Sequence, residues 1–246
     1  MAQGQVKSAK RVFEVLEYFR QTRGALRLRD IVEHLGYPSS STAELLKGMA
    51  ELGYLCFDPH KRSYFPTPRL TALGDWISDA TFDSGRVIDL MRQLNERTGE
   101  LVMLGVANGL HVQYIQVIQS IHPVRYVVEP GTRRPLVSSG AGWALLSNEK
   151  DSAIEKIWRR TLARDIVTRQ AVPIEALMDK VNLVRSLGFV YARGQVLPEA
   201  SSIAAPVPQA QNGQRFSMSL GGPTERFDRK LDSLAQTLKS GLEPTA

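Results

Sequence analysis

Leu26–Pro66, LRLRDIVEHLGYPSSSTAELLKGMAELGYLCFDPHKRSYFP, is the stretch on which the fold turns. Leu28, Ile31, Val32 and Leu35 recur at helical spacing and lay one apolar stripe on a short helix. Gly36-Tyr37-Pro38 breaks that helix, and Ser39, Ser40 and Ser41 offer N-cap chemistry for a second one. The second helix carries Leu45, Leu46, Met49 and Leu52 as the stripe expected to be buried, and Gly53 stops it. Tyr54-Leu55-Cys56-Phe57 and Ser63-Tyr64-Phe65 read as strands, joined by a turn at Asp58-Pro59-His60-Lys61-Arg62. Two short helices joined by a tight turn and followed by a basic hairpin make a winged helix-turn-helix. That shape places its second helix in the major groove of DNA.

Outward from this core, residues 1–7 form a polar tail, and Val12, Val15, Leu16 and Phe19 mark an amphipathic first helix. It closes a three-helix core, giving a first domain over residues 1–67. Thr67-Pro68 punctuates the boundary, and Leu70, Leu73, Trp76 and Ile77 suggest a linker helix over 68–83. These apolar residues have no core of their own; a second subunit and the following domain are equally open as their partner.

The remainder, 84–246, opens with a helical pattern, Val87, Leu90, Met91 and Leu94, ending at Thr98-Gly99. The period then changes. Leu101 to Ala107 runs into Asn108-Gly109, a strong hairpin signal, and Leu110 to Val117 returns as a strand. Val124 to Glu129 reads as a further strand. Helices are expected at Trp143–Leu146, at Ile154–Leu162, and from Pro173 to Gly188 with its proline start and glycine stop. Strands at Ser202–Val207 and Phe216–Leu220 flank Asn212-Gly213, and a last helix aligns Phe227, Leu231, Leu234, Leu238 and Leu242. Hairpins interleaved with helices give an α+β class with a mainly antiparallel sheet.

The chain of 246 residues has a formal net charge of +6, which favours a polyanionic partner. Residues 1–75 carry 11 Lys+Arg against 8 Asp+Glu, so half of that excess sits in less than a third of the chain. A single cysteine, Cys56, excludes an intramolecular disulfide framework and is expected to be a small buried side chain in its strand. No apolar run reaches the ~18 residues of a membrane span, and no signal-peptide core opens the chain. A soluble, cytoplasmic protein is expected. His34, His60, His111 and His122 lack metal-ligand spacing, and no G-x-S-x-G occurs. Ser147-Asn148-Glu149-Lys150 matches S-x-x-K without supporting motifs, so no enzyme, metal or cofactor is expected.

In its motifs the chain resembles the isocitrate lyase regulator (IclR) family of bacterial transcription factors. The resemblance rests on Ser8-Ala9-Lys10-Arg11-Val12, Ile31-Val32-Glu33-His34-Leu35-Gly36, Pro38-Ser39-Ser40-Ser41-Thr42 and Glu51-Leu52-Gly53-Tyr54-Leu55. Further along it rests on Ser139-Gly140-Ala141-Gly142-Trp143-Ala144-Leu145-Leu146, Leu187-Gly188-Phe189 and Ile203-Ala204-Ala205-Pro206-Val207. It implies a winged helix-turn-helix, a linker helix and a C-terminal GAF-like sensor domain for a small molecule. A DNA-binding regulator acting as a homodimer or dimer of dimers on an operator is the reading that follows. A metabolic enzyme with an appended DNA-binding domain and a purely architectural DNA binder are the rivals.

Candidate residues fall into two sets. For DNA, Ser39, Ser40 and Ser41 can donate to phosphates at a helix start, and they would cap that helix in either case. Lys47 can reach a guanine edge or a phosphate, and Glu44 can accept from a cytosine amino group. Lys10 and Arg11 on one side, and Lys61 and Arg62 at the wing, are placed to clamp phosphates. Many members of the family carry basic or imidazole side chains where this chain has Ala43 and Glu44. For an effector, Ser138-Ser139-Gly140-Ala141-Gly142 before a helix suits an anion such as a carboxylate, or is simply a tight turn into that helix. By resemblance, Gly140, Ala141, Ala200, Ser202 and Ser219 line the effector pocket. Tyr191-Ala192-Arg193-Gly194-Gln195 replaces an acidic stretch of many relatives, which makes Arg193 a candidate partner, with Arg125 and Arg133, for a small organic acid.

Overall fold

The computed structural model describes residues 7–74, 86–208 and 214–243, and the chain divides into two compact units, Met1–Ser78 and Asp79–Ala246. In the first unit α1 (Lys7–Thr22) is followed by β1 (Leu26–Arg27), α2 (Leu28–Leu35), α3 (Ser39–Glu51), β2 (Leu55–Asp58) and β3 (Ser63–Pro66). A further helix, α4, covers residues 69–74; Trp76, Ile77 and the rest of the expected linker lie outside the described residues. Val15, Phe19, Ile31, Leu46, Met49 and Leu55 form the core between the three helices and the sheet. The sheet has the order β1-β3-β2, and its first strand, two residues long, was not legible as a pattern. Gly36 ends α2 at φ +67° with nothing within 4 Å of a would-be Cβ, so its dihedral rather than space selects glycine.

Three expectations fail in this unit. Leu52 is not buried: it sits at the C-cap of α3, 63% exposed, because the helix ends before the stripe completes its next turn. Thr42 is buried instead. Cys56 is exposed, lying opposite Phe65 on the outer face of a hairpin that has only one buried side, and its thiol donates to the Phe65 carbonyl at 3.3 Å. The third concerns the serines of α3. Pro38 occupies the N-cap, and the Ser41 and Thr42 hydroxyls donate back to its carbonyl at 3.1 and 2.9 Å. Ser39, Ser40 and Ser41 therefore form the first turn of α3 rather than its cap.

The second unit is a six-stranded sheet of order β6-β5-β4-β9-β8-β7. Its strands are β4 (Leu101–Asn108), β5 (His111–Ile118), β6 (Arg133–Pro135), β7 (Val190–Arg193), β8 (Ala200–Pro206) and β9 (Phe216–Pro223), and every pairing is antiparallel. Helices α5 (Arg86–Thr98) and α9 (Thr224–Leu242) cover one face, with Met91, Leu94, Phe227 and Leu238 meeting Val102 and Leu104. Helices α6 (Gly140–Leu146), α7 (Asp151–Leu162) and α8 (Ile174–Leu187) cover the other, with Trp143, Ile154, Trp158 and Val181 in one core with Leu101 and Met103. Because both faces are covered, Leu101 to Leu104 is apolar without alternation. The Asn108-Gly109 hairpin forms as expected, with Gly109 at φ +65°. The Asn212-Gly213 turn lies outside the described residues. No described helix is long and apolar enough to cross a membrane.

One strand expectation is wrong here. Residues 124–129 are irregular, and the sheet instead takes up Arg133–Pro135 as β6. Two of the loop's carbonyls go to side chains: Gln119 Nε2 donates to Val128 O at 2.7 Å and Arg226 Nη1 to Val124 O at 3.0 Å. Arg226 is itself fixed by Glu100, a fully buried carboxylate that accepts from its Nε and Nη2, both at 2.6 Å. Asn95, also buried, donates to the Glu100 and Gln119 carbonyls at 2.7 and 3.0 Å. A polar network thus ties α5, the start of β4 and α9 to the loop that follows β5.

Candidate DNA-reading face and ligand cavity

The first site is built on α3. With Thr42, Leu46 and Met49 turned into the core, Ser40, Glu44, Lys47 and Glu51 form an exposed ridge at helical spacing. Ser39 is exposed beside it. Lys47 Nζ stands 3.7 Å from Glu51 Oε1 on this ridge, an exposed pair of little energetic weight that leaves Lys47 free to exchange partners. Arg11 reaches from α1 to the same helix start: Nη1 donates to Ser41 Oγ at 3.3 Å, and the guanidinium lies 4.5 Å from the Tyr37 ring centroid. The Tyr37 hydroxyl bonds to Glu14, which also pairs with Lys10 at 3.5 Å. That bond to Glu14 is the main cause holding the Tyr37 hydroxyl above its ordinary pKa. Sequence alone could not join Arg11 to Ser41, 30 residues apart.

The wing turn is shaped by Asp58, whose Oδ1 accepts the N–H groups of His60 and Lys61 at 2.9 and 3.1 Å. Arg62 follows in a left-handed conformation, φ +48°. Lys61 and Arg62 are both exposed. Arg11, the first turn of α3 and the wing are thus parts of one small unit.

The second site is a cavity of about 130 Å³ in the second unit. It lies on the α6 side of the sheet. Leu101, Met103, Tyr114 and Gly221 line it from the central strands, Ser139 and Gly140 from the start of α6, and Ala200 and Ser202 from β8. Tyr126 and Val127 from the loop after β5, and Val196 and Leu197 from the loop after β7, complete the wall. Val127 is 61% and Leu197 48% exposed, so the mouth is apolar. Three of the anticipated residues, Gly140, Ala200 and Ser202, stand on the cavity.

The other three do not. Ala141 is buried in the core with Trp143 and Ala144, because the residue after Gly140 turns inward on α6. Ser219 shares the strand face of Gly221 but is not among the lining residues. It is buried opposite Met103 and Ala204, and its hydroxyl has no hydrogen-bond partner among the described residues. Arg193 points away to Asp228, donating from Nη2 to Oδ2 at 3.1 Å, and borders a separate shallow groove with Arg125. Arg133 bonds to Asn108 O and His111 instead.

The glycines before α6 are also explained by packing. A Cβ at Gly140 would come within 2.9 Å of Ala192 Cβ and 3.3 Å of Ser202 Oγ, and one at Gly142 within 2.1 Å of the Leu136 carbonyl oxygen. Ser139 Oγ accepts the Gly142 N–H at 3.2 Å and donates to Pro135 O at 2.8 Å, so part of this helix start is satisfied internally. The chain matches, over residues 8–59, the family described as the IclR helix-turn-helix domain. Over residues 86–242 it matches the bacterial transcriptional regulator IclR C-terminal family.

The chain belongs to the IclR family of bacterial transcriptional regulators. Its two matches fall on the two units in order. The HTH-type transcriptional regulator BhcR of Paracoccus denitrificans is 24% identical to it, over 96% of this chain and 84% of that protein. The transcriptional repressor IclR of Escherichia coli is 24% identical over 99% and 90% of the two chains. The crystal structure of Thermotoga maritima IclR shares the fold, with a TM-score of 0.66 at 17% identity over 97% of this chain and 96% of that one. Like these relatives, this IclR-family protein joins a DNA-binding helix-turn-helix to a C-terminal effector-binding domain.

Among the lining residues that escaped the sequence reading are Tyr114 and Arg134. Arg133 and Arg134 are adjacent, so in a strand they take opposite faces. Which one turns inward is fixed by register: Arg134 is paired with Val112, a fully buried residue, and Tyr114 lies two residues on along the same face of β5. Burial pushes the Tyr114 hydroxyl up to about 12, with Arg134 pulling in the opposite direction.

Proposed function

We propose that the protein is a cytoplasmic, ligand-responsive regulator that binds a near-palindromic operator as a homodimer or dimer of dimers and acts by binding rather than turnover. The exposed ridge of α3 carries this reading. Ser39, Ser40, Ser41, Glu44 and Lys47 enter the major groove, while Lys10, Arg11, Lys61 and Arg62 hold the flanking phosphates. Leu73, 52% exposed on α4, supports a dimer contact through the segment between the units. The cavity of the second unit takes a small organic acid, whose bound and free states differ in their support of the DNA-bound arrangement.

Fluorescence anisotropy on operator DNA and on variants of it tests the assignment. Lys47→Ala is expected to relax preference at one defined base position, costing about 1–3 kcal/mol at the correct site. The pair Lys61→Ala and Arg62→Ala is expected to weaken every sequence alike and lower the salt slope by up to about 2. Equal loss on all sequences from Lys47→Ala would remove α3 from base reading.

A further inference from the structure

The cavity has a charge asymmetry. Among the described residues Arg134 is its one lining cation, and no described aspartate or glutamate lines it. The Arg134 side chain donates from Nη1 to the Arg133 carbonyl at 3.2 Å, in an exposed hydrogen bond, and has no ion-pair partner among the described residues. On the same face of the neighbouring strand, Tyr114 is a buried residue lining the cavity, and its hydroxyl makes no hydrogen bond among the described residues. At neutral pH it is a phenol, a donor without an acceptor. A guanidinium and a phenol at one end of a space whose other polar lining groups are neutral present donors that one anion would satisfy.

The opposite end lies across the sheet at β8 and β7, and its polar groups there, Ser201, Ser202 and Gln195, are neutral. A second negative charge would find no cation. The volume, about 130 Å³, is close to that of an engineered apolar cavity that accepts benzene.

We propose that Arg134 and the Tyr114 hydroxyl form the anion-recognising end of the cavity, so that the effector is a monocarboxylate whose apolar body lies along Leu101 and Met103 toward Ser202. The carboxylate takes the guanidinium and the phenol, not the start of α6. This rests on the reading of the cavity as the effector site and adds which end reads the charge.

Calorimetric titration of the full chain at pH 7.5 with butyrate, benzoate and phenylacetate, each beside its primary amide, tests both. At least one acid is expected to bind about ten- to hundredfold more tightly than its amide, the worth of one or two charge-assisted hydrogen bonds. Arg134→Gln is expected to erase that preference, Arg134→Lys to keep part of it, and Tyr114→Phe to weaken the acid with little effect on the amide. Melting curves establish that each variant is folded, and the acid–amide comparison on the unaltered chain stands even where a variant is not. Amides binding as tightly as acids, or an acid preference that survives in folded Arg134→Gln, overturns this assignment while leaving the cavity as a ligand site. Failure of all six compounds to bind overturns the effector reading together with it.

Discussion

Removing Arg226 is expected to damage the second unit more than any other single surface-reaching change. Glu100 is fully buried, and its two oxygens take the Nε and Nη2 of Arg226 at 2.6 Å each. His122 Nε2, at 3.5 Å, is the other nearby basic group and does not replace two charge-assisted bonds. Arg226→Ala leaves an uncompensated buried carboxylate, which costs about 3–5 kcal/mol. For a unit of this size that lowers the melting temperature by roughly 6–20 °C. Tryptophan fluorescence is a suitable probe, because Trp143 and Trp158 are both buried in this unit. The double variant Glu100→Gln, Arg226→Met is expected to recover most of the loss, since removing both charges removes the penalty with the pair. Arg226 also holds the Val124 carbonyl, so the single variant is expected to loosen the loop bearing Tyr126 and Val127 and to weaken cavity ligands. An Arg226→Ala protein melting within about 2 °C of the unaltered chain would refute the argument, because such a shift corresponds to about 1 kcal/mol or less.

Three further outcomes are expected. Gly142→Ala is expected to destabilise the second unit by about 1–3 kcal/mol or more despite alanine's better helix propensity, since its Cβ would meet backbone at 2.1 Å. Gly48→Ala in α3 meets nothing within 4 Å and is expected to stabilise the first unit by about 0.5–1 kcal/mol; denaturant melts of both variants check the pair. Asp228 is held below the ordinary carboxylate pKa by its hydrogen bonds from Arg193 and then Tyr191, so its contribution is present at neutral pH and lost as pH falls through that lowered value. The acid limb of the stability profile is expected to flatten in Asp228→Asn, and an unchanged limb would contradict it.

What could be read from sequence was what local chemistry decides. Gly36, the Asn108-Gly109 hairpin, and Pro173 with Gly188 around α8 each fix their own backbone, and the structure has them where the pattern put them. The helical stripes of α1 and α9 were legible for the same reason. Leu52 was misread because periodicity does not announce where a helix stops, and Cys56 because a two-sided hairpin leaves one side in water. The strand expected at Val124–Glu129 has two of its carbonyls taken by Gln119 and by Arg226, the latter 102 residues from Val124, a competition no local window contains. Of the cavity, Gly140, Ala200 and Ser202 were found through resemblance. Arg134 was missed because its face depends on pairing with Val112 across the β5–β6 register.

The central claim is that the α3 ridge of two copies reads one operator. Selection of duplexes from a randomised DNA pool by the full chain tests it most directly. The expected result is an enriched, near-palindromic site whose half-sites are about one helical turn, or a multiple of it, apart, with Lys47→Ala relaxing one symmetric pair of positions. A pool that stays random after repeated selection, or an enriched site unchanged by substitution on α3, would contradict it.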